Sequence, residues 1–306
     1  MKQILIILLS LFFLTCSGDK NTHNIEKVIQ SKTVSTYEFE KKFDEYIDQI
    51  TKIDVYINDS LGNLIEESNY DASLKLEGRN LYKYDSNGNE IEDLAYDKDG
   101  ARSRTSISQY DSNGNMIESS TYDSYEQLIS KATYKYDSNA NMIEKSSNRP
   151  EFAAKSNDSY KYDSSGNMIE QLSQSSSVFL PFHETKHIYK YDLNGNNIES
   201  THSDLDGGEI YRKYVCKFDS SGNKVEEINY KSDVEIEKKG NYKYDSMGNM
   251  VEELFYGKNG DLFYTKLITY NSNNNPIELT KYYHEIKFGK IQKIPHEKIT
   301  YKYRYY

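Results

Sequence analysis

The chain is dominated by one motif that returns about every 26 residues. The motif reads Tyr-x-Tyr-Asp-x-x-Gly-Asn-x-Ile-Glu, and its glycine position occurs nine times, in steps of 26, 26, 26, 26, 29, 27, 26 and 26 residues. A period of this length indicates a repeat architecture, in which each unit buries its apolar side against its neighbours. Seven of the nine positions hold glycine and two do not: Gly62, Gly88, Gly114, Gly166, Gly195, Gly222 and Gly248, then Ala140 and Asn274.

The residues around the glycine predict a tight turn. Asp stands three positions before it in eight copies and Asn271 in the ninth. An Asp or Asn that opens a turn accepts hydrogen bonds from backbone N–H groups further on, and glycine supplies the left-handed conformation that ends the turn. The seven glycines are therefore predicted to be structural turn residues of β-hairpins, and Ala140 to mark a turn that is strained or of another type.

Tyrosine and aliphatic positions on either side of the turn predict strands. Tyr lies four and six positions before the glycine in most copies, so both rings project from one face of a strand. An aliphatic residue and then Glu follow the glycine in all nine copies. A four-residue turn places the aliphatic opposite the tyrosine, whereas a G1 bulge at the glycine moves it to the other face. We favour the first register because it collects one apolar face.

A second, weaker turn predicts two strands in each unit. Tyr96 and Gly100 repeat the spacing from tyrosine to glycine 12 residues after the main glycine, and other copies hold looser versions. Nine units then give about 18 antiparallel strands of ordinary length. The predicted fold class is all-β: an antiparallel β-hairpin repeat array over residues 54–282 that forms a twisted or spiralling, solenoid-like single sheet.

The composition agrees with a thin architecture and excludes one class of partner. Hydrophobic residues make up 36% of the chain, a figure that includes 30 tyrosines, and there is no tryptophan. Tyrosine suits half-buried positions because its ring packs while its hydroxyl stays in water. The formal net charge is −10. A chain without a basic patch is not expected to bind nucleic acid.

Residues 1–16 have the features of an export signal. Lys2 precedes an apolar run over residues 4–14, which is too short to span a bilayer as a helix. Residues 13–16, Phe-Leu-Thr-Cys, resemble a bacterial lipobox, although Phe13 and Thr15 depart from its usual residues. The resemblance implies lipidation of Cys16 and attachment to a membrane, in the outer membrane or at the cell surface. The alternative is a plain secretory signal and a secreted protein. Cys216 then has no partner for a disulfide.

The segments that flank the repeats are predicted to be a tether and two caps. Residues 17–35 are polar and form the tether. Residues 36–57 carry both helical and strand-like spacing, and we favour a capping hairpin because a sheet end needs a cover. Residues 283–306 repeat Tyr-x-Tyr and are predicted to be C-terminal capping strands. The insertion in residues 171–187, with Pro181, is predicted to be a protruding loop of the kind that carries binding function.

The repeat string resembles the YD, or RHS, repeat family, whose motif is Tyr-Asp-x-x-Gly followed by a polar residue and an aliphatic. The resemblance covers about three quarters of the chain and implies an antiparallel sheet that winds along the repeat axis. Large members wrap a hollow shell around a toxin. This chain is much shorter, its aliphatic residue comes one position later and no toxin-like C-terminal domain follows, so the resemblance implies an extracytoplasmic repeat scaffold and not encapsulation.

The motifs that carry chemistry are weak. His183 and His187 have metal-ligand spacing only in a helix, the Asp turns do not follow the calcium-loop pattern, and a glutamate repeated nine times is a structural position. No catalytic residue, cofactor or metal is predicted. The predicted function is a non-enzymatic cell-envelope scaffold that binds a glycan or a partner protein. The alternatives are a structural component of envelope assembly and an envelope hydrolase.

Overall fold

The computed structural model describes residues 29–42, 45–178, 182–205, 208–287 and 290–305. These residues form 20 β-strands and one short 3-10 turn, Pro150–Phe152. The strands are β1 Ile29–Lys42, β2 Glu45–Asn58, β3 Leu64–Asp71, β4 Leu76–Tyr84, β5 Glu90–Asp97, β6 Arg102–Tyr110, β7 Met116–Asp123, β8 Leu128–Tyr136, β9 Met142–Arg149, β10 Ala154–Tyr162, β11 Met168–Ser176, β12 His183–Tyr191, β13 Asn197–Asp204, β14 Ile210–Phe218, β15 Lys224–Tyr230, β16 Ile236–Tyr244, β17 Met250–Gly257, β18 Leu262–Tyr270, β19 Pro276–Lys287 and β20 Lys290–Tyr305.

The sheet closes into a barrel. Each strand pairs antiparallel with the next, and β1 also pairs with β20, so that Thr33 has Val55 on one side and Lys302 on the other. The prediction of an open, twisted or spiralling solenoid-like array was therefore wrong, although the all-β class and the antiparallel hairpins are present. Closure removes the two sheet edges that an open array would expose.

Bulges inside the hairpins explain why a run of hairpins curls round. After each turn that contains the glycine position (the main turn), the register shifts by one residue, as between Lys83 and Tyr84. Most of the hairpins formed at the other ends of the strands (the second turns) shift too, as between Ala95 and Tyr96, whereas β9–β10 and β11–β12 pair without a shift. Bulges bend a strand and increase its twist, so their repetition bends the whole sheet in one direction. These small contributions accumulate over 20 strands.

The favoured register at the main turn was wrong, and the G1-bulge alternative is the one observed. In the second repeat, Gly88 donates its N–H to the Asp85 carbonyl at 3.1 Å and has φ of 84°. Asp85 donates its N–H to the Asn89 carbonyl at 2.9 Å, so Gly88 is the extra residue of the G1 bulge and Tyr84 pairs with Glu90. A second bulge follows, in which Ile91 is left unpaired between Glu90 and Glu92. Ala140 has φ of 63° and makes the same turn hydrogen bonds as glycine, so that turn keeps its type and carries the strain of a non-glycine residue.

The two flanking segments join each other. Residues 36–42 and 45–57 lie in β1 and β2, which pair with each other. Residues 283–287 end β19, and residues 290–305 form β20, which pairs with β1 and β19. Asn58 donates its side-chain N–H to the Ile29 carbonyl at 2.8 Å, and Asn275 donates to the Tyr305 hydroxyl at 2.8 Å. The tether, apart from its last residues, and the signal segment lie outside the described residues.

The barrel wall is one sheet thick and has no continuous apolar core. Among the described residues, Leu94 and Tyr242 are the buried hydrophobic side chains, and Ser68, Ser120 and Thr265 are buried as well. No large side chain in that part of the chain is completely buried. Paired residues of neighbouring strands share a face, so the wall has two faces. We name one the tyrosine face, after Tyr82 and Tyr84 and their equivalents, and the other the lysine–glutamate face.

Candidate binding surface

The aspartates of the main turns are fully used within the turns. In the third repeat one Asp111 carboxylate oxygen accepts the N–H groups of Asn113 and Asn115, both at 2.9 Å, and the other accepts the Asn115 side chain at 3.0 Å. The Asn115 side chain and these backbone donors hold the pKa of Asp111 below its usual range. Because both oxygens already have donors, these carboxylates are turn residues and not a set of free metal ligands.

Seven tyrosines of the repeat, and Tyr303 of β20, serve the wall itself. The backbone ladder between neighbouring units stops before the main turns, for example at Glu66 and Leu81. Beyond that point Tyr84 donates its hydroxyl to the Leu64 carbonyl at 2.8 Å. The same bond, at 2.8–2.9 Å, joins Tyr110 to Glu90, Tyr136 to Met116, Tyr162 to Met142, Tyr191 to Met168, Tyr244 to Lys224, Tyr270 to Met250 and Tyr303 to Pro276. These hydroxyls replace missing backbone donors.

The lysine–glutamate face carries a row of ion pairs near the main turns. Lys and Glu pair across the hairpin in six units: Lys83–Glu92, Lys135–Glu144, Lys161–Glu170, Lys190–Glu199, Lys217–Glu226 and Lys243–Glu252. Glu226 also contacts Lys239 of the next strand at 2.6 Å. Hydrogen bonds from these two lysines lower the pKa of Glu226. Each of the six lysines paired across a hairpin is more than half exposed. The row therefore contributes little to stability and keeps this face charged.

The residues that the sequence singled out for chemistry do not form one centre. His183 lies 3.5 Å from Asp204, and its side chain is half exposed. His187 stacks instead on His202 of the neighbouring strand. No group of three metal-ligating side chains occurs within the described ranges. Cys216 is half-buried and not in a disulfide, and burial raises the pKa of its thiol.

The remaining predicted features lie in strands or outside the described residues. Most of residues 171–187 belong to β11 and β12, and residues 179–181 between them are among those outside the description, as is Cys16. The seven predicted turn glycines, Gly62, Gly88, Gly114, Gly166, Gly195, Gly222 and Gly248, all have positive φ, between 81° and 91°. They lie at the main turns, where the left-handed conformation favours glycine.

The middle of the tyrosine face differs in composition between the two halves of the barrel. In β4 to β11 the mid-strand positions hold small or polar residues such as Ala95, Ser106 and Ser147. In β12 to β20 every strand contributes one member of what we name the aromatic band: His187, His202, Tyr214, Asn229, Lys238, Phe255, Tyr264, Tyr283 and His296. Seven of these nine residues are aromatic rings. The band thus runs across neighbouring strands and not along any one of them.

The rings of the band contact one another from strand to strand. His187 and His202 stack with centroids 4.0 Å apart and an interplanar angle of 8°, and His202 lies 5.5 Å from Tyr214. Phe255 and Tyr264 lie 5.8 Å apart, as centroids, and Tyr264 and Tyr283 lie 5.9 Å apart. The ring of His296 continues the row at 4.7 Å from Tyr283. Such tilted and stacked pairs are favourable arrangements of aromatic rings.

Gly240 makes room for the centre of this row. It pairs with Phe255 across the strands, and a Cβ atom on Gly240 would lie 2.8 Å from Phe255 Cε1 and 3.0 Å from the Tyr242 hydroxyl. Any other residue at this position would push the ring away. The Phe255 ring therefore lies against the backbone of β16.

Three lysines along the band are paired with carboxylates. Lys224 pairs with Glu227 at 2.5 Å, Lys266 with Glu253 at 3.1 Å and Lys281 with Glu297 at 2.5 Å. The ammonium of Lys238 lies over the Phe255 ring, 4.7 Å from its centroid. This surface combines flat apolar rings with paired polar groups.

His187, His202 and Tyr264 of the band are neutral near pH 7. Burial raises the pKa of the Tyr264 phenol to about 12. Burial also lowers the pKa of His187 and His202, and for His202 the neighbouring His187 and Arg212 lower it further. The negative charge of Asp158 acts against burial and raises the pKa of His187.

Sequence reasoning aligned the repeats by what they share and so missed this band. Its members occupy positions where other repeats hold small or polar residues: Phe255, for instance, stands seven positions after its main glycine, where Ala95 and Ser147 stand in theirs. An aromatic residue at a repeat position that is small or polar in other copies is the signal that could have identified them.

Comparison with known proteins does not assign a family. No family model matches the chain, and no curated protein matches it in sequence. Among solved structures, a porin-like protein from Bacteroides uniformis ATCC 8492 has a TM-score of 0.38 at 10% identity, over 91% of this chain and 98% of that chain. A porin-like protein from Bacteroides vulgatus ATCC 8482 has 0.25 at 10%, over 91% and 99%.

The crystal structure of TcdB2-TccC3-Cdc42 also matches, with a TM-score of 0.34 at 14% identity, over 86% of this chain. The chain spans only 16% of the length of that one. The resemblance to YD/RHS repeats was wrong as an identification, because the strands close into a barrel and no family model supports the repeat family. In the part of the chain that is described, no helix is long and apolar enough to cross a membrane.

Proposed function

We propose that this protein is a non-enzymatic barrel of the bacterial cell envelope, held to a membrane by a lipid on Cys16, which binds a glycan or a partner protein through its wall. The observation that carries the proposal is the uniformity of the barrel. Asp, Glu, Lys and Tyr, which could perform chemistry, recur as structural positions with the same partners in unit after unit.

The charge distribution supports a barrel that stands in water beside the membrane. The fourth residue of several strands is charged on both faces: Lys131, Lys186 and Lys213 on the lysine–glutamate face, and Lys145, Glu227 and Glu253 on the tyrosine face. A lysine on a lipid-facing strand at the bilayer midplane costs about 2–4 kcal/mol. Attachment through a lipid leaves such a wall hydrated.

The anchor is tested by labelling. Cells that make the chain are grown with a radiolabelled fatty acid, and the protein is isolated from membrane and soluble fractions. We expect label and membrane association in the wild type and neither in Cys16→Ala. Cys216→Ala is the matched control, because it removes the other cysteine, and it should behave as the wild type. Label that persists in Cys16→Ala would refute the anchor.

Envelope assembly is the second candidate, favoured by the charged rows that a partner protein could contact. Chemical crosslinking in intact cells separates the two. A stoichiometric protein partner, with no glycan recovered, supports the assembly role, whereas recovery of glycan from an envelope extract supports binding. Turnover of an envelope polymer by the purified chain would refute both and support a hydrolase.

A further inference from the structure

We propose that the aromatic band on the tyrosine face is a binding site for an uncharged oligosaccharide, with the Asn229 side-chain carbonyl as an acceptor for a sugar hydroxyl. This inference rests on the proposed binding function and names its ligand and its place. The site lies on β12 to β20 and leaves the other half of the barrel unused.

The rings of the band provide the apolar part of such a site. Sugar rings carry C–H groups on their faces, which pack on flat aromatic surfaces, and their hydroxyls need hydrogen-bonding partners at the edges. Phe255, Tyr264 and Tyr283 lie on three consecutive strands with centroids 5.8 and 5.9 Å apart. Tyr283 is 44% exposed. Its contact with the exposed His296 extends the row to β20.

Asn229 supplies an unused hydrogen-bond acceptor within the band. Its side chain is 5% exposed, and its Oδ1 atom has no hydrogen-bond partner among the described residues. A buried polar atom without a partner is costly, so its retention at this place points to a ligand. Asn229 pairs with Tyr214 on one side and Lys238 on the other. A hydroxyl that donates to Oδ1 would thus come from a molecule lying between the histidine rings and Phe255.

The charges argue for an uncharged ligand. Three lysines beside the rings are paired with carboxylates, Lys224 with Glu227, Lys266 with Glu253 and Lys281 with Glu297, and the ammonium of Lys238 lies over the Phe255 ring. A uronic acid or a phosphate would have to compete with these carboxylates, on a chain of net charge −10. Neutral sugars meet no such cost, and the paired groups remain able to accept and donate hydrogen bonds to hydroxyls.

The test is calorimetric titration of the full chain in detergent with cellohexaose, mannohexaose and chitohexaose, and with hexagalacturonate as the charged probe. We expect at least one neutral probe to bind with a millimolar or lower Kd. Phe255→Ala, Tyr264→Ala and Asn229→Ala should each weaken it at least 10-fold. Asn80→Ala removes the same amide from the tyrosine face of β4, and Tyr125→Ala removes an exposed ring at a second turn. Both controls should change Kd less than twofold.

Folding of the variants is followed by their thermal midpoints. If the Phe255 and Asn229 variants do not fold, Tyr283→Ala and His296→Ala replace them, because these side chains are exposed and their loss should weaken binding at least threefold. No binding of any neutral probe at 10 mM overturns the inference, as does binding that the band variants leave unchanged or a preference for hexagalacturonate. The labelling and crosslinking experiments do not depend on sugar binding. The titration can therefore refute the proposed sugar site without refuting the proposed envelope function.

Discussion

At the scale of single residues, the main turn shows how one carboxylate determines a hairpin. Asp111 accepts two backbone N–H groups and one amide N–H, so it organises every residue from 111 to 115. Asn271 has the same role in the ninth copy and accepts the two backbone bonds, from Asn273 and Asn275. The carboxylate thus adds charge and the amide contact to an arrangement that a neutral side chain can also form.

Two replacements of Asp111 should lower the stability of the protein by different amounts. We expect Asp111→Ala to lower the thermal midpoint because all three bonds are lost, and Asp111→Asn to lower it less because the backbone bonds persist as they do at Asn271. The Asp111 pKa is lowered in the folded state, so this stability is present above the unfolded pKa and is lost as pH falls through the folded pKa. Thermal scans from pH 7 to pH 2.5 check both points. Equal midpoints for Ala and Asn would contradict the account.

The tyrosine hydroxyls on backbone carbonyls make a second prediction at this scale. Tyr136→Phe removes the donor to the Met116 carbonyl and keeps the ring. The loss of one such bond costs about 1 kcal/mol, which corresponds to about 2 °C in the thermal midpoint for a chain of this size. Tyr125→Phe is the control, since Tyr125 is 82% exposed and should show no change. A Tyr136→Phe protein as stable as the wild type would show that the bond does not contribute.

The stacked histidines predict sensitivity to mild acid. The pKa values of His187 and His202 are lowered in the folded barrel, so the unfolded chain binds protons first as the pH falls. Stability should therefore be constant above about pH 6.5 and decline below it, through the folded pKa values. We expect His202→Asn to reduce this decline between pH 6.5 and pH 5. His183→Asn, outside the stack, should leave it unchanged, and an unaltered decline in His202→Asn would rule out this origin.

At the scale of the strand, the contact between β16 and β17 depends on the absence of one side chain. Gly240 lies under Phe255, in a strand interior where glycine otherwise weakens a sheet. The gain is a ring that can lie flat against the backbone and reach its neighbours Tyr242 and Tyr264. Glycine at position 240 therefore lowers the intrinsic stability of β16, and it allows the Phe255 ring to lie against the strand.

Gly240→Ala should displace that ring. The new Cβ would lie 2.8 Å from Phe255 Cε1, and overpacking of this kind costs about 1–3 kcal/mol. Gly257→Ala is the matched control on the next strand, because its Cβ would have 3.9 Å to the nearest atom. We expect denaturant titration to show a loss for Gly240→Ala and little change for Gly257→Ala. Equal stabilities would mean that Phe255 is not held against β16.

At the scale of the whole molecule, closure places together segments at opposite ends of the chain. Thr33 of β1 pairs with Lys302 of β20. In an open sheet the same residues would be separated by the other 18 strands, roughly 90 Å at the spacing of about 4.8 Å between strands. The barrel and the open array thus differ in the distance between Thr33 and Lys302, which a disulfide crosslink can test.

A pair of cysteines tests closure directly. In a Cys16→Ala, Cys216→Ala background, Thr33→Cys with Lys302→Cys should form an intramolecular disulfide under mild oxidation, because paired residues have Cα atoms about 4.5–5.5 Å apart. Thr33→Cys with Lys135→Cys is the control, since Lys135 occupies the same repeat position in β8, and it should remain reduced. Mass spectrometry of non-reduced peptides distinguishes the two. Failure of the first pair to crosslink would favour an open sheet.

The sequence by itself determined the hairpin unit, since the Asp, the glycine and the tyrosines act within about ten residues of one another and their hydrogen bonds are local. The sequence did not determine the register, because Ile91 can lie on an apolar face in one register and in a bulge in the other. Only the tertiary structure decided closure, which sums slight bends over 20 strands and joins Thr33 to Lys302. The aromatic band follows from the same cause: Phe255, Tyr264 and Tyr283 become neighbours only when their strands lie side by side.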